Sequence, residues 1–413
     1  MSATPAKRGD FEKIGECLYR YTISLLTSVK QAHASLGRNG EARALEMMHA
    51  PNPHGRPNSD VLIPWVNGLD VTRRPRGMFI IDFGLTRTED DCAKYDAPFA
   101  HVLENVRPER IGNKRALYAR YWWRHVEPRP GMLAALAPLP RFLTTPRVTK
   151  HRLFAWLEAP SLPDSQVFAF ALADDFSFGV LHSRIHEAWA RAHGTQVRER
   201  ERGFRYTPTT CFETFSFPFA HDTTQDTLQT VAKFRAAHYH NDQSSVLRED
   251  PPPTSPREHR EAIAAAAHDL NESRELWLNP PELTAQRTLI FSGARDGPWR
   301  RFVRDADARG IGTVHYPLTE PRDAECAAQL NERTLTNLYN QRAKGKVGWL
   351  TNAHARLDAA VAAAYGWPAD LSDDEILTRL LVLNHKRSAA ETAAAPTASK
   401  PRLSRAKHAN EIL

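Results

Sequence analysis

The stretch FLTTPRVTKHRLFAWL, residues 142–157, alternates apolar with polar positions and is rich in β-branched and aromatic side chains. That is the pattern of a strand lying half-buried in a sheet. On such a strand, alternation sends Arg147, Thr149 and His151 to one side and Val148 and Lys150 to the other. Similar texture surrounds it. SQVFAFAL (residues 165–172) reads as a second strand, TTCFETFSFPF (209–219) as strand-like, and GMFIIDFG (77–84) as a short buried strand between glycines. PNPHGRPNSD (51–60) is a loop rich in Pro, Gly and Asn.

Two segments among these strands have helical spacing. ERIGNKRALYARYWWRHVE (109–127) places Leu117, Tyr121 and Trp122 or His125 three and four residues apart above a cationic face. FGVLHSRIHEAWARAHG (178–194) repeats Leu181, Ile185, Ala188 and Trp189 at helical spacing, with Gly194 at the C-cap position. From residue 221 the pattern is helical to the end. Ser255, Pro256 and Glu258 form a capping box with proline in the first turn, and Pro280 must end the Ala-rich helix that follows. Leu350, Leu357, Val361 and Tyr365 share a face of a helix stopped by Gly366 and Pro368, and Ser372 with Glu375 caps another over 375–385. The expected class is α+β: a mixed α/β domain over 46–220, then a mainly α-helical domain over 221–392. Residues 1–45 are unassigned, with one possible helix at 18–29, and 393–413 read as a disordered tail poor in apolar groups.

The totals narrow the function. A chain of 413 residues, 41% apolar and 25% charged, is expected to fold as more than one domain. No apolar run is long enough to span a bilayer, no secretory signal opens the chain, and a cytoplasmic location is expected. Cys17, Cys92, Cys211 and Cys326 have no paired spacing, against a disulfide framework or a Cys-based zinc site. Net charge is +7 and unevenly spread: residues 105–152 hold eleven Lys or Arg and two acids, Glu109 and Glu127. Such a window suits a polyanion.

Three chemistries compete. LWLNPPELT (276–284) carries the Asn279-Pro280-Pro281 of amino-methyltransferase loops, in which Asn and a proline carbonyl accept from the amine of a flipped base and an aromatic ring stacks on it. Here Glu282 replaces the ring, and the nearest glycine pair, Gly310 and Gly312, opens no helix to receive a methyl donor. His182, His186 and His193 would share one helix face and could hold zinc, although no Glu stands where a zinc protease needs it. No lysine follows an acid at the nuclease spacing, and no Walker loop is present. DNA binding gathers the most residues. Arg147, Lys150, His151 and Arg152 in TTPRVTKHR, with Ser183, Arg184 and His186 in HSRIHEAW, are candidates for base contact, and Arg73, Arg74 and Arg76 in TRRPRG for phosphate.

Several of these stretches together resemble a family. HGRPNSDVLIPWVNGLDVTRRPRGMFIIDFG, TPRVTKHRLFAWL, PDSQVFAFA, FGVLHSRIHEAWA, YTPTTCFETFSFPF, RTLTNLYNQR and LDAAVAAAYGWP, in order from about residue 47 to about 384, are similar to the C-terminal half of MmeI-like adenine-specific DNA methyltransferases of restriction-modification and phage-defence systems. The resemblance implies a target recognition domain followed by a helical C-terminal domain, with double-stranded DNA as ligand. It implies that S-adenosylmethionine and the catalytic loop belong to a methyltransferase domain that precedes this half. The expectation is therefore a recognition part without catalytic residues, cofactor or metal of its own, partnered by a methyltransferase domain or subunit on another chain and by no membrane. A self-sufficient methyltransferase with a non-standard loop, a metal-dependent hydrolase using His182, His186 and His193, and an inactive fragment of a broken gene remain the rivals.

Overall fold

The computed structural model describes residues 40–125, 129–196, 203–219 and 255–394. The helix expected at 18–29 and nearly all of the tail from 393 lie outside those residues. The chain enters through α1 (Gly40–His49), a 3-10 turn (Asn58–Val61), β1 (Leu62–Val66), α2 (Gly68–Thr72) and β2 (Phe79–Ile81). Five short helices follow: α3 (Glu89–Ala93), α4 (Asp96–Asn105), α5 (Arg107–Ile111), α6 (Ala116–Arg120) and α7 (Pro130–Leu136). Next come β3 (Arg141–Pro146), β4 (Val148–Thr149), β5 (Ala155–Glu158), β6 (Leu162–Pro163), β7 (Val167–Phe170), α8 (Asp175–His182), α9 (Arg184–His193), β8 (Thr195–Gln196), β9 (Phe204–Arg205) and α10 (Pro208–Cys211). The last part comprises α11 (Pro256–Leu278), β10 (Thr284–Ala294), β11 (Val303–Arg304), β12 (Ile311–Pro321), α12 (Ala324–Glu332), α13 (Leu335–Ala343), α14 (Gly348–Tyr365) and α15 (Asp373–Ala394).

The α+β class holds. Among the described residues the strands form four three-stranded sheets, ordered β2-β1-β6, β5-β3-β7, β4-β9-β8 and β10-β12-β11. The strand expected at 142–157 is three strands: β3, central and antiparallel to β5 and β7, then a corner into β4. A corner arises because Pro146 lacks the N–H that a continued ladder would need. The single helix expected over 109–127 divides around Gly112 into α5 and α6, so its spacing does not apply and Leu117 is exposed. The strand-like 209–219 is instead α10 and turns, with proline in the first helical turn. Phe212, Phe215 and Phe217 plug the core from there.

Residues 221 onward are not helical throughout. β10 and β12 pair over eleven residues, from Thr284↔Pro321 to Ala294↔Ile311. This hairpin covers the start of the described chain: Ser59 Oγ donates to Ser292 O at 2.6 Å, and Trp299 Nε1 donates to Ser59 O at 3.1 Å and Leu62 O at 3.0 Å. Leu289, Phe291, Trp299 and Val314 share a core with Val61, Leu62, Phe79 and Phe83. The turn before β10 uses the Asn-Pro-Pro triplet. Asn279 caps α11, the Pro280 carbonyl accepts from Leu283 N at 3.0 Å and Thr284 Oγ1 at 2.9 Å, and the Pro281 carbonyl accepts from Arg322. The proline carbonyl that a methyltransferase would offer to a base is thus engaged within the chain.

The largest core also crosses residue 220. It joins Leu143, Phe154, Phe170, Phe178 and Trp189 to Ile263, Leu270, Leu350, Leu357 and Leu380. α8 is buried on all sides except at its first residue, and packs on α11 and α14. Gly179 permits the approach: a Cβ there would lie 2.7 Å from Ile263 Cγ2 and 3.1 Å from Leu357 Cδ1. Gly179→Ala should therefore destabilise the fold by ~1–3 kcal/mol, since overpacking outweighs a helix-propensity gain of about 1 kcal/mol. Denaturant unfolding checks this; unchanged stability would mean the helices can separate freely.

Candidate nucleic-acid interface

α13 brings the candidate residues together. Thr334 caps it by accepting from Asn337 N at 3.1 Å, and Leu335, Leu338 and Tyr339 turn into the core. The neighbouring stripe carries Thr336 and Asn340, one turn apart. Thr336 Oγ1 donates to Thr72 O at 3.2 Å, where α2 ends and Arg73 follows. Asn340 Oδ1 accepts from Lys150 Nζ at 3.0 Å and from His151 Nε2 at 2.9 Å. Burial lowers the pKa of His151, so at neutral pH the ring is uncharged and Nε2–H is the donor. α13 is thus seated between the end of α2 and the loop after β4.

Arg147 stands at the β3–β4 corner, its N–H donating to Gln166 O at 2.7 Å and its carbonyl accepting from Tyr206 N at 2.9 Å. β4 pairs with β9, Val148 opposite Arg205 and Thr149 opposite Phe204. Gly203 lets β9 approach: its φ is +97°, and a Cβ would lie 2.4 Å from the Thr149 carbonyl. Arg73, Lys150 and Arg205 are exposed and Arg147 half-buried. Among the described residues none of the four is paired with a carboxylate. The result is a seam of cations and one amide from four segments, with positive charge not neutralised among the described residues. Other cations of the acid-poor window stack on rings instead, Arg107 on Trp122, Arg115 on Tyr118 and Arg124 on Tyr121.

Six expected contact residues lie elsewhere or are engaged. Arg152 is 6% exposed; its Nη1 donates to Thr145 Oγ1 at 3.1 Å and Pro146 O at 3.0 Å, and Phe204 and Tyr206 face its guanidinium. Burial pushes its pKa down to about 10. Arg152 therefore braces the β3–β4 corner from inside and cannot reach DNA from there. Ser183 is fully buried: its φ of −75° and ψ of 159° break the helix expected over 178–194 into α8 and α9, and it caps α9 at His186 N. His186 is fully buried, donating from Nδ1 to Leu181 O at 2.7 Å, which leaves Nε2 to accept from Tyr206 Oη at 3.1 Å. Arg184 is held by Leu371 O and Asp373, Arg74 by Leu278 O, and Arg76 by a two-pronged bond to Asp70.

The zinc arrangement fails for the same reason. The break at Ser183 puts His182 and His186 on different helices. His182 Nδ1 accepts from Phe154 N at 3.2 Å and Nε2 lies 2.8 Å from Tyr339 Oη, which lies 2.8 Å from His354 Nε2. With every nitrogen of His182 and His186 committed, neither ring has a lone pair for a metal. Thr336, Asn340 and Arg205 were missed in the sequence. Lys150 and Asn340 are 190 residues apart, and no local pattern joins them.

This geometry defines an α+β protein whose small sheets and helices assemble a cationic seam. Residues 89–219 match the family model of the MmeI target recognition domain, the family that the motifs resemble. Among the solved structures that resemble the chain is that of the Type IIL restriction-modification enzyme MmeI in complex with DNA, with a TM-score of 0.52 and 13% identity over 90% of this chain. At that identity the likeness is one of fold. The chain spans 37% of the length of that MmeI chain. No curated protein matches by sequence.

Burial lowers the His186 pKa to about 3, against about 6.5 for an unburied ring. Between these values the unfolded chain takes up a proton that the folded one refuses, so this stability is present above pH 6.5 and lost as pH falls toward 3. His186→Gln, which does not titrate, should lower stability at pH 7 by ~1–3 kcal/mol through imperfect hydrogen bonding and lose less of what remains on acidification. Urea unfolding from pH 7 to pH 4 checks it, and an equally steep acid loss in both proteins would count against it. Added zinc should leave the thermal midpoint unchanged, as read by differential scanning fluorimetry.

Proposed function

We propose that this chain is the DNA-recognition part of a restriction-modification enzyme. It docks on duplex DNA, while a methyltransferase domain on another chain holds S-adenosylmethionine and methylates adenine. The observation that carries the reading is the seam itself: Arg73, Arg147, Lys150 and Arg205, at the end of α2, the β3–β4 corner and β9, without a neutralising carboxylate among the described residues. Cations left unpaired in this way suit phosphate, whose contacts fix register while base edges supply sequence information. Three of these four residues belong to the segment that matches the recognition-domain family, and Arg73 lies before it. MmeI, to which the fold is similar, is described in complex with DNA.

The phosphate contribution has a quantitative test. Arg147→Ala and Arg73→Ala should each weaken binding to all duplexes and flatten the plot of log affinity against log salt by about one unit. Electrophoretic shift titrations at several salt concentrations measure both. Slopes equal to that of the unaltered protein would remove those residues from the interface. The division of labour is tested separately: the purified chain alone should transfer no methyl group to DNA, and transfer by the chain alone would overturn it.

A further inference from the structure

Asn340 has an orientation that the bonds around it settle. Lys150 Nζ and His151 Nε2 both point donors at one end of its amide, so that end is the oxygen. Asn340 Nδ2 has no hydrogen-bond partner among the described residues, nor is it among the buried atoms lacking one, so it opens to solvent. Lys150 keeps two further N–H groups beside it. Arg147, three residues before Lys150, carries a guanidinium, which accepts nothing. Asn340 Nδ2 and Lys150 Nζ therefore offer donors side by side.

A surface of donors complements an edge of acceptors. In the major groove adenine and cytosine each present an amino donor, and thymine a single acceptor beside a methyl group. Guanine alone presents two acceptors, N7 and O6, side by side. We propose that Asn340, supplied by α13 outside the segment matching the recognition-domain family, is a specificity-determining residue that reads the O6/N7 edge of guanine together with Lys150. This rests on the DNA-recognition function proposed above. The bond to His151 and Lys150 then has a second consequence: it locks the amide so that its nitrogen faces the groove.

The test uses Asn340→Asp, which keeps the oxygen that holds Lys150 and His151 and replaces the outward donor with an acceptor. The unaltered chain and the variant are each put through selection from a randomised duplex pool. Affinities are then measured for the selected site and for versions with one guanine replaced. The unaltered chain should select a site containing guanine, and the variant should lose at least tenfold of the discrimination at one guanine position. A uniform loss of affinity with the preference intact would overturn the proposal and leave Asn340 a structural brace. A selected site without guanine would also overturn it. Absence of any DNA binding by the unaltered chain would instead sink the parent function, and the inference with it. Circular dichroism reports whether the variant folds; should it not, Lys150→Met asks the same question, and unchanged guanine discrimination there overturns the proposal.

Discussion

A positive charge sealed inside the largest core ties its two sides together. Arg274 of α11 is fully buried, and its Nη2 donates to Phe154 O at 3.0 Å, at the foot of β5. Next to it His182, Tyr339 and His354 form a row of hydrogen bonds from α8 through α13 to α14. Phe154 N–H donates to His182 Nδ1 at 3.2 Å, and Arg274 Nη1 lies 3.2 Å from His182 Nε2, beside the Tyr339 hydroxyl. Burial lowers the pKa of both histidines well below the usual range, and the neighbouring Arg274 charge lowers them further, which keeps the row neutral. Isolating a charge in a core is costly, and removing any partner would leave it worse satisfied.

That row fixes the position of α13 relative to the β5 sheet, and hence the seam. Tyr339 faces inward to His182 and His354 while Asn340, the next residue, faces Lys150 and His151. One short helix therefore reads the core with one side and the surface with the other. Arg152 does the matching work beneath the β3–β4 corner, filling it with a guanidinium between Phe204 and Tyr206. In TTPRVTKHR, Arg152 supports the corner, Arg147 stands at its bend, and Lys150 with His151 meets the helix.

Much of the local structure was legible in the sequence. The capping box at Ser255 and Glu258, the end of α11 before Pro280, and the Gly366 cap follow from side-chain groups within a few residues of the backbone they satisfy. Where the reading failed, a distant partner had overruled local preference. Ser183 looks like one more residue in a helical run, but Asp358 of α14 accepts from Arg184 N at 2.7 Å and the chain bends there. β10 and β12 lie in a region of helical texture and are stabilised by pairing across the intervening residues 295–310.

The sequence by itself determined the α+β class, the motifs of the family, the acid-poor cationic window and the stretch from which Arg147, Lys150 and His151 come. Only the tertiary structure decided which basic and polar residues are available. Arg152, Ser183 and His186 are as polar as their neighbours but lie inside, whereas Asn340, far away in the chain, bonds Lys150, and Arg73 follows the residue that Thr336 of the same helix bonds. The reason is physical: charge and hydrogen-bonding capacity are properties of a residue, but whether they are spent on the fold or left for a ligand depends on contacts between segments that the chain order keeps apart.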